Sequence, residues 1–178
     1  MEDTWVTSDQ HFFHNNIIKY ADRPYSNVDE MNETIIKNWN SVIFKHNIVW
    51  ILGDFCFGGN QNKLISLTQK LNGRKFLILG NHDRGRAEQF WIKCGFEFSS
   101  KYPILQDNRF ILSHRPISTV VKPFFNIHGH VHKNSKDDAR YYNASVDVTD
   151  FYPVNLNLVK SELLSRTDRA LNALAEIV

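Results

Sequence analysis

The sequence is poor in cysteine and in net charge. Its 178 residues include only two cysteines, Cys56 and Cys94, which stand in no CxxC or other zinc-type spacing. Neither a disulfide scaffold nor a thiolate metal site is therefore indicated, and we expect reduced thiols in a cytoplasmic protein. The formal net charge is only +2, which is too small to predict nucleic acid as a polyelectrolyte partner.

Long apolar segments and targeting signals are also missing. No apolar run approaches the length that spans a bilayer, so neither membrane insertion nor a membrane partner is predicted. The N-terminus carries Glu2 and Asp3 where a secretory signal would carry Lys or Arg, which again favours a cytoplasmic location. With 42% apolar and 22% charged residues, the chain has the composition of one globular domain, expected to span residues 1–178.

What the sequence does contain is a repeated junction, in which a short apolar run ends at Asp, Asn or His. A short apolar run bounded by turn residues predicts a buried strand, and open α/β sheets bind their ligands at strand ends. Glycine stands beside the polar residue in three of the junctions, where it permits close backbone approach. The five junctions are Trp5–Ser8 before Asp9-Gln10-His11, Ile48–Leu52 before Gly53-Asp54, Leu77–Leu79 before Gly80-Asn81-His82-Asp83, Phe110–Ser113 before His114, and Phe124–Ile127 before His128-Gly129-His130-Val131-His132.

We interpret these junctions together as a metal site. Core histidines would not concentrate at strand ends, whereas a cluster of Asp, Asn and His marks a ligand set. The period of two in a strand would place Asp9 with His11, and His130 with His132, on one side. If the strands share a sheet, seven side chains supply eight ligand positions, because Asp54 can bridge two ions. The predicted ligands are Asp9, His11, Asp54, Asn81, His114, His130 and His132.

Helical spacing separates the junctions. Val28–Val42 is predicted to be an amphipathic helix with a start signal at Ser26 and Asp29. The segment between residues 96 and 109 is predicted to hold a strand and a turn around Asp107-Asn108. The other predicted helices are Leu64–Leu71, Ala87–Cys94 and Ser161–Val178, the last with Leu164, Leu171, Leu174 and Val178 on one side, and the other predicted strands are Tyr141–Val148 and Val154–Leu158.

Several polar residues outside the ligand set are candidates for substrate contact. His14 lies just beyond the first ligand pair, and a structural role for it is equally open. Arg84 and Arg86 open a predicted helix after the central junction, where guanidinium groups and backbone N–H groups suit a phosphate. Arg115 follows His114. Simple surface charge is the alternative for these arginines. Arg23, in a Pro-broken loop, could contact a phosphate, but the favoured interpretation is a solvated arginine.

The ordered set Asp9-x-His11, Gly53-Asp54, Gly80-Asn81-His82-Asp83, His114 and Gly129-His130-x-His132 resembles the calcineurin-like metallophosphoesterases. The opening stretch, Trp5–Ile18, is similar to the small bacterial and phage members. The resemblance covers residues 4–132, and the segment beyond residue 150 carries no motif. It implies an α/β fold, a two-sheet β-sandwich flanked by helices in four layers.

The resemblance also implies roles for individual residues. One metal ion would be held by Asp9, His11, Asp54 and His132, and the second by Asp54, Asn81, His114 and His130. His82 would be the catalytic histidine, oriented by Asp83. The sequence departs from the family pattern at two places. Ser113 precedes His114 where many members have glycine, and Phe55-Cys56 follows Asp54 without the further Asp that is often present. Neither departure removes a ligand, so both bear on substrate fit.

The expected chemistry is hydrolysis of a phosphate ester. Mixed imidazole, carboxylate and amide ligands without thiolate suit two divalent ions, with manganese favoured and iron, zinc or nickel as alternatives. A metal-bridging hydroxide would attack phosphorus while His82 protonates the leaving group as general acid. The predicted substrate is a small phosphate ester, such as a nucleotide or an RNA end, with the choice between monoester and diester left open, as is the oligomeric state. The alternative is a non-catalytic interaction scaffold on the same fold, against which the intact ligand set and His82 argue.

Overall fold

The computed structural model describes residues 3–134, 136 and 138–175. The strands are β1 (Thr4–Thr7), β2 (Ile48–Ile51), β3 (Arg74–Ile78), β4 (Phe98–Ser100), β5 (Ile104–Gln106), β6 (Phe110–Leu112), β7 (Phe125–His128), β8 (Tyr141–Asn143) and β9 (Val154–Asn155). The helices are α1 (Ile17–Tyr20), α2 (Val28–Val42), α3 (Gln61–Lys70), α4 (Glu88–Lys93) and α5 (Leu156–Ala175), together with a 3₁₀ turn at Val146–Val148.

Two mixed sheets form the body of the fold. The first has the order β4-β3-β2-β1-β9, in which only β9 runs antiparallel to its neighbour. The second has the order β5-β6-β7-β8, in which only β5 is antiparallel. The prediction of an α/β fold with two sheets flanked by helices is confirmed, and the parallel strands bring their carboxyl ends to one edge of each sheet.

Alternate residues of β2 build two different cores. Val49 and Ile51 pack with the helices that cover the outer face of the first sheet, whereas Trp50 and Leu52 pack between the two sheets. This alternation follows from the strand period of two, and burial on both faces explains the continuously apolar sequence. The outer core includes Met31, Ile35, Trp39, Leu64 and Trp91, and the inner core includes Val6, Ile78, Leu112, Ile127 and Leu163.

Three local predictions are wrong in detail. Asn27, rather than Ser26, caps α2, because its side chain accepts hydrogen bonds from the N–H groups of Asp29 and Glu30. The predicted strand 141–148 ends at Asn143, because Ser145 accepts from the N–H of Asp147 and starts a 3₁₀ turn. The predicted strand 154–158 ends at Asn155, and helix α5 begins there, earlier than the predicted residue 161.

Helix α5 packs its first turns on the inner core through Leu156, Val159 and Leu163. Leu164, predicted to lie on its apolar side, is partly buried against the same core. The remaining predicted positions, Leu171, Leu174 and Val178, lie outside the residues whose side chains are described. Within the described part of the chain, no helix combines the length and the apolar character needed to cross a membrane.

Candidate metal centre

The predicted ligands sit on loops that follow the carboxyl ends of five strands. Asp9 and His11 follow β1, Asp54 follows β2, Asn81 follows β3, His114 follows β6, and His130 and His132 follow β7. Backbone hydrogen bonds tie neighbouring loops together, since the N–H of Asp9 donates to Gly53 O and the N–H of His11 to Asp54 O, both at 3.0 Å. The first sheet therefore contributes four of the predicted ligands through β1, β2 and β3, and the second sheet contributes three through β6 and β7.

Five of the seven predicted ligands have a left-handed backbone. The φ angles are 60° at Asp9, 52° at His11, 52° at Asp54, 72° at His130 and 51° at His132. Non-glycine residues rarely adopt this region, which costs about 1–3 kcal/mol each, and such residues concentrate at functional sites. Because the backbone is not extended here, the expected period of two does not apply beyond the strand ends. His130 and His132 therefore lie in two different clusters of potential ligand atoms.

The potential ligand atoms include two triads that Asp54 connects, and a third group joins His11, Asp54 and His82. Within each triad the potential ligand atoms lie within 4.8 Å of one another. The Asp54 carboxylate reaches both triads, since Oδ2 lies 3.6 Å from His11 Nε2 and Oδ1 lies 3.5 Å from His114 Nε2. Asn81 joins through its Oδ1, which lies 3.0 Å from His114 Nε2. One triad is Asp9, His11 and His132, and the other is Asp54, His114 and His130.

The chemistry of these groups fits divalent cations. His11 is 1% exposed, yet its Nε2 has no hydrogen-bond partner among the described residues. Burial raises the pKa of Asp9 to about 7. The nearby Asp54 charge also raises this pKa, because two neighbouring carboxylates repel each other. Burial lowers the pKa of His114 to about 4 and also lowers that of His130, which keeps these imidazoles neutral, as metal ligation requires.

Hydrogen bonds behind the ligands fix their orientation. His114 Nδ1 lies 2.8 Å from Leu52 O, so this nitrogen carries the proton and Nε2 faces the cluster. Glycine is required at position 129, between His128 at the end of β7 and His130, because a Cβ there would overlap Ser8 Oγ and the Asp9 carboxylate. Its neighbour His130 donates its backbone N–H to Asp9 Oδ2 at 2.9 Å. The glycine thus permits the close approach that holds the Asp9 carboxylate.

The sequence interpretation missed two residues, Asp147 and Arg23. Asp147 Oδ2 lies 2.7 Å from His132 Nδ1, and the guanidinium of Arg23 binds both carboxylate oxygens at 2.8 and 2.9 Å. The side chains of both residues are fully buried, so the expectation of a solvated Arg23 is wrong. Their sequence separation of 124 residues left no local signal, since neither the Pro-broken loop nor the predicted strand suggested a partner.

His82 lies at the open side of the cluster. Its side chain is 32% exposed, and Nε2 lies 3.9 Å from Asp54 Oδ2. The Asp83 carboxylate accepts backbone N–H groups of Asp54, Phe55 and Gly80 at 2.6, 3.2 and 2.9 Å, so the predicted influence of Asp83 on His82 would act through the backbone of this loop. Burial raises the pKa of Asp83 to about 7. Asp83 therefore ties the loop after β3 to the loop after β2.

The predicted substrate contacts differ in their position. His14 is buried, with Nδ1 3.4 Å from His11 Nδ1. Arg115 is exposed and directly follows His114 of the second triad. Burial is the largest cause that lowers the pKa of His114 and His130, and the charge of Arg115 lowers both as well. Arg84 is exposed and lines a surface cavity of about 860 Å³. Arg86 is committed elsewhere, since it donates to Gly58 O and Gly59 O at 2.9 and 2.6 Å.

Comparison with known sequences identifies relatives over most of the chain. The family described as calcineurin-like phosphoesterase matches residues 3–173. An uncharacterized protein of Methanocaldococcus jannaschii is 39% identical over 171 residues, covering 89% of this chain and 90% of the relative. Gene 66 protein of Mycobacterium phage L5 is 40% identical over 85 residues, covering 47% of this chain and 41% of the phage protein.

A solved structure shares the fold. The protein of unknown function from Aquifex aeolicus superimposes with a TM-score of 0.69 at 24% sequence identity. The match covers 90% of this chain and 99% of that one. At this identity the likeness establishes the two-sheet architecture.

Proposed function

This chain belongs to the calcineurin-like phosphoesterase family, which supports metal-dependent hydrolysis of phosphate esters, and from that premise we propose that it cleaves small phosphodiesters at a dinuclear metal centre. The observation that carries this proposal is the position of the Asp54 carboxylate between two triads, 3.6 Å from His11 Nε2 and 3.5 Å from His114 Nε2. A carboxylate in that position suits two ions rather than one.

The chain's own side chains would hold the two ions. When bound, such ions lower the pKa of water and neutralise phosphoryl oxygens, with manganese the first candidate and iron, zinc and nickel the alternatives. The first ion would take Asp9, His11, Asp54 and His132, and the second would take Asp54, Asn81, His114 and His130.

His82 is proposed as the general acid. A leaving alkoxide needs a proton, and histidine is the side chain that most often supplies one as a general acid. His82 belongs to the cluster but remains partly open to solvent, with its Nε2 3.9 Å from Asp54, so an ester oxygen can approach it. Its backbone N–H donates to Asp54 Oδ1 at 2.9 Å, which fixes its position relative to the ligands. Protonation of the leaving oxygen by His82 would complete cleavage of the P–O bond.

The arginines favour a diester over a monoester. A diester carries one negative charge fewer, so it needs fewer cationic side chains. Arg23 is paired with Asp147 and Arg86 with backbone carbonyls, whereas the charge of Arg115 acts on His114 and His130. With two of these arginines committed to other partners, a singly charged phosphodiester is the better match, and a nucleotide or an RNA end is the candidate source.

A panel of esters tests the proposal. Bis-p-nitrophenyl phosphate and p-nitrophenyl phosphate are assayed with manganese, nickel and zinc in turn, and after treatment with a chelator. We expect metal-dependent turnover with a higher kcat/KM for the diester. Asp54→Asn should abolish turnover and reduce manganese binding measured by calorimetry, whereas Asp107→Asn, at an exposed turn, should change neither. Absence of turnover with every metal would overturn the proposal and favour a non-catalytic scaffold.

A further inference from the structure

An aromatic ring stands half exposed beside the candidate metal centre. Phe57 exposes 49% of its surface, and its ring stacks on that of His14 with 4.2 Å between centroids and 16° between planes. The same ring meets His82 edge-on at 5.5 Å. The exposed phenyl group therefore adjoins the proposed general acid.

The backbone around Phe57 is held firmly in place. The N–H of Phe57 donates to Phe12 O at 2.9 Å. The next two carbonyls, of Gly58 and Gly59, both accept from the guanidinium of Arg86. Because these bonds fix the loop on both sides and the ring stacks on His14, less entropy is lost when a ligand packs on the ring.

Tyr20 extends the same surface. It is 76% exposed, and its ring lies 6.3 Å from that of His14. We call Tyr20, His14 and Phe57 the aromatic rim. Exposed apolar residues are ordinary on protein surfaces, and Phe44, at 62% exposure with its ring 6.4 Å from that of His46, is one of them. The rim differs because the rings of Phe57 and Tyr20 both contact that of His14, and the ring of His82 also packs on His14, at 5.7 Å.

We propose that the aromatic rim binds the planar base of a nucleoside carried on the leaving oxygen, so that nucleotide esters are the substrate class of this site. This inference rests on the proposed function, because it takes His82 as the donor of the proton. The group bonded to the leaving oxygen must then lie on the His82 side of the centre, where Phe57 stands. A nucleobase is a planar ring joined to the ester oxygen through one sugar, and bases stack on aromatic side chains whatever their identity.

The first test measures binding rather than turnover. Adenosine 5′-monophosphate and ribose 5-phosphate are titrated by calorimetry into the manganese-loaded protein. We expect the nucleotide to bind at least about fivefold more tightly than ribose 5-phosphate, which is the gain in affinity from one stacked base. Phe57→Ala should remove most of this difference in affinity, whereas Phe57→Trp should keep it. Phe44→Ala is the matched control, since it removes an exposed phenyl ring from the loop before β2, at the opposite end of that strand from Asp54, and should leave the difference intact.

The second test compares two phosphodiesters whose leaving oxygen belongs to a similar sugar, which carries a base in one and none in the other. One is thymidylyl-thymidine, and the other carries an abasic tetrahydrofuran in place of the leaving nucleoside. Phe57→Ala should lower kcat/KM for the first at least about fivefold more than for the second. An equal loss on both would assign Phe57 a purely structural role and overturn the inference.

The two proposals fail in different ways. Turnover of bis-p-nitrophenyl phosphate together with equal binding of the two monophosphates would overturn the aromatic rim as a base site and leave the proposed function standing. Absence of turnover on every ester would overturn the proposed function, while the binding titration would still decide whether the rim recognises a base.

Discussion

His132 and Asp147 form a hydrogen bond of 2.7 Å between Nδ1 and Oδ2. Burial by itself would lower the pKa of His132, but this bond and the charges of Asp9 and Asp147 raise it. Asp147 is held in turn by Arg23, which donates to both of its oxygens. Since Nδ1 is occupied by Asp147, Nε2 is the nitrogen left to bind a metal ion, and its direction is fixed by a carboxylate outside the ligand set.

Asp147→Asn should weaken manganese binding by about 10- to 100-fold, the usual effect of removing a carboxylate behind a histidine ligand. Calorimetry gives the affinity, and circular dichroism verifies that the variant is folded. Asp138→Asn is the control, because it removes another Asp–Arg pair, with Arg140, that none of the predicted ligands shares. Wild-type manganese affinity in a folded Asp147→Asn protein would contradict the role assigned to Asp147.

Gly129→Ala should reduce manganese affinity and lower the free energy of unfolding by about 1–3 kcal/mol, the typical cost of overpacking. The added Cβ would overlap Ser8 Oγ and the carboxylate of Asp9, so that carboxylate must move. Urea denaturation and calorimetry measure the two effects. Gly85→Ala is matched to it, because a Cβ at Gly85 meets no atom within 4 Å, and it should leave both quantities unchanged. Equal behaviour of the two variants would argue against close packing at Gly129.

His82→Ala should cut kcat by about 10²- to 10⁴-fold, as expected for loss of a general acid. The loss should be larger for poor leaving groups than for p-nitrophenolate, which departs readily without a proton. Manganese affinity should remain near wild type, since the proposed ligand set of each ion leaves out His82, although its ring lies close to His11 and Asp54. A large fall in metal affinity would make His82 a metal ligand, and equal losses on all leaving groups would contradict its role as general acid.

Arg115→Ala should raise KM for bis-p-nitrophenyl phosphate about tenfold, since one charge-assisted hydrogen bond contributes about 1.5 kcal/mol. Arg115 directly follows His114 of the second triad, and its charge lowers the pKa of His114 and His130. Arg84→Ala removes the same charge from a residue that lines a separate cavity with Lys101 and Tyr102, and it should change KM less than twofold. A larger rise in KM for Arg84→Ala than for Arg115→Ala would place the phosphate on the Arg84 side of the centre.

The strands could be predicted because each one carries its signal within a few residues. Ile48–Leu52 is continuously apolar, and it proved to be a strand buried on both faces. The ends of short segments were harder to predict, as Ser145 shows, because a single side-chain hydrogen bond decided where β8 gives way to a 3₁₀ turn. The predicted ligand set was visible for the same reason as the strands, since each member follows an apolar run within about five residues.

The sequence by itself determined the strand pattern, the family and the seven polar residues that meet at the strand ends, because each depends on residue types at short and regular spacing. Only the tertiary structure decided what stands behind them. The Arg23–Asp147–His132 chain and the three backbone contacts of Asp83 join segments distant in sequence. Their partners are chosen by the packing of two sheets, and no local periodicity encodes such a choice.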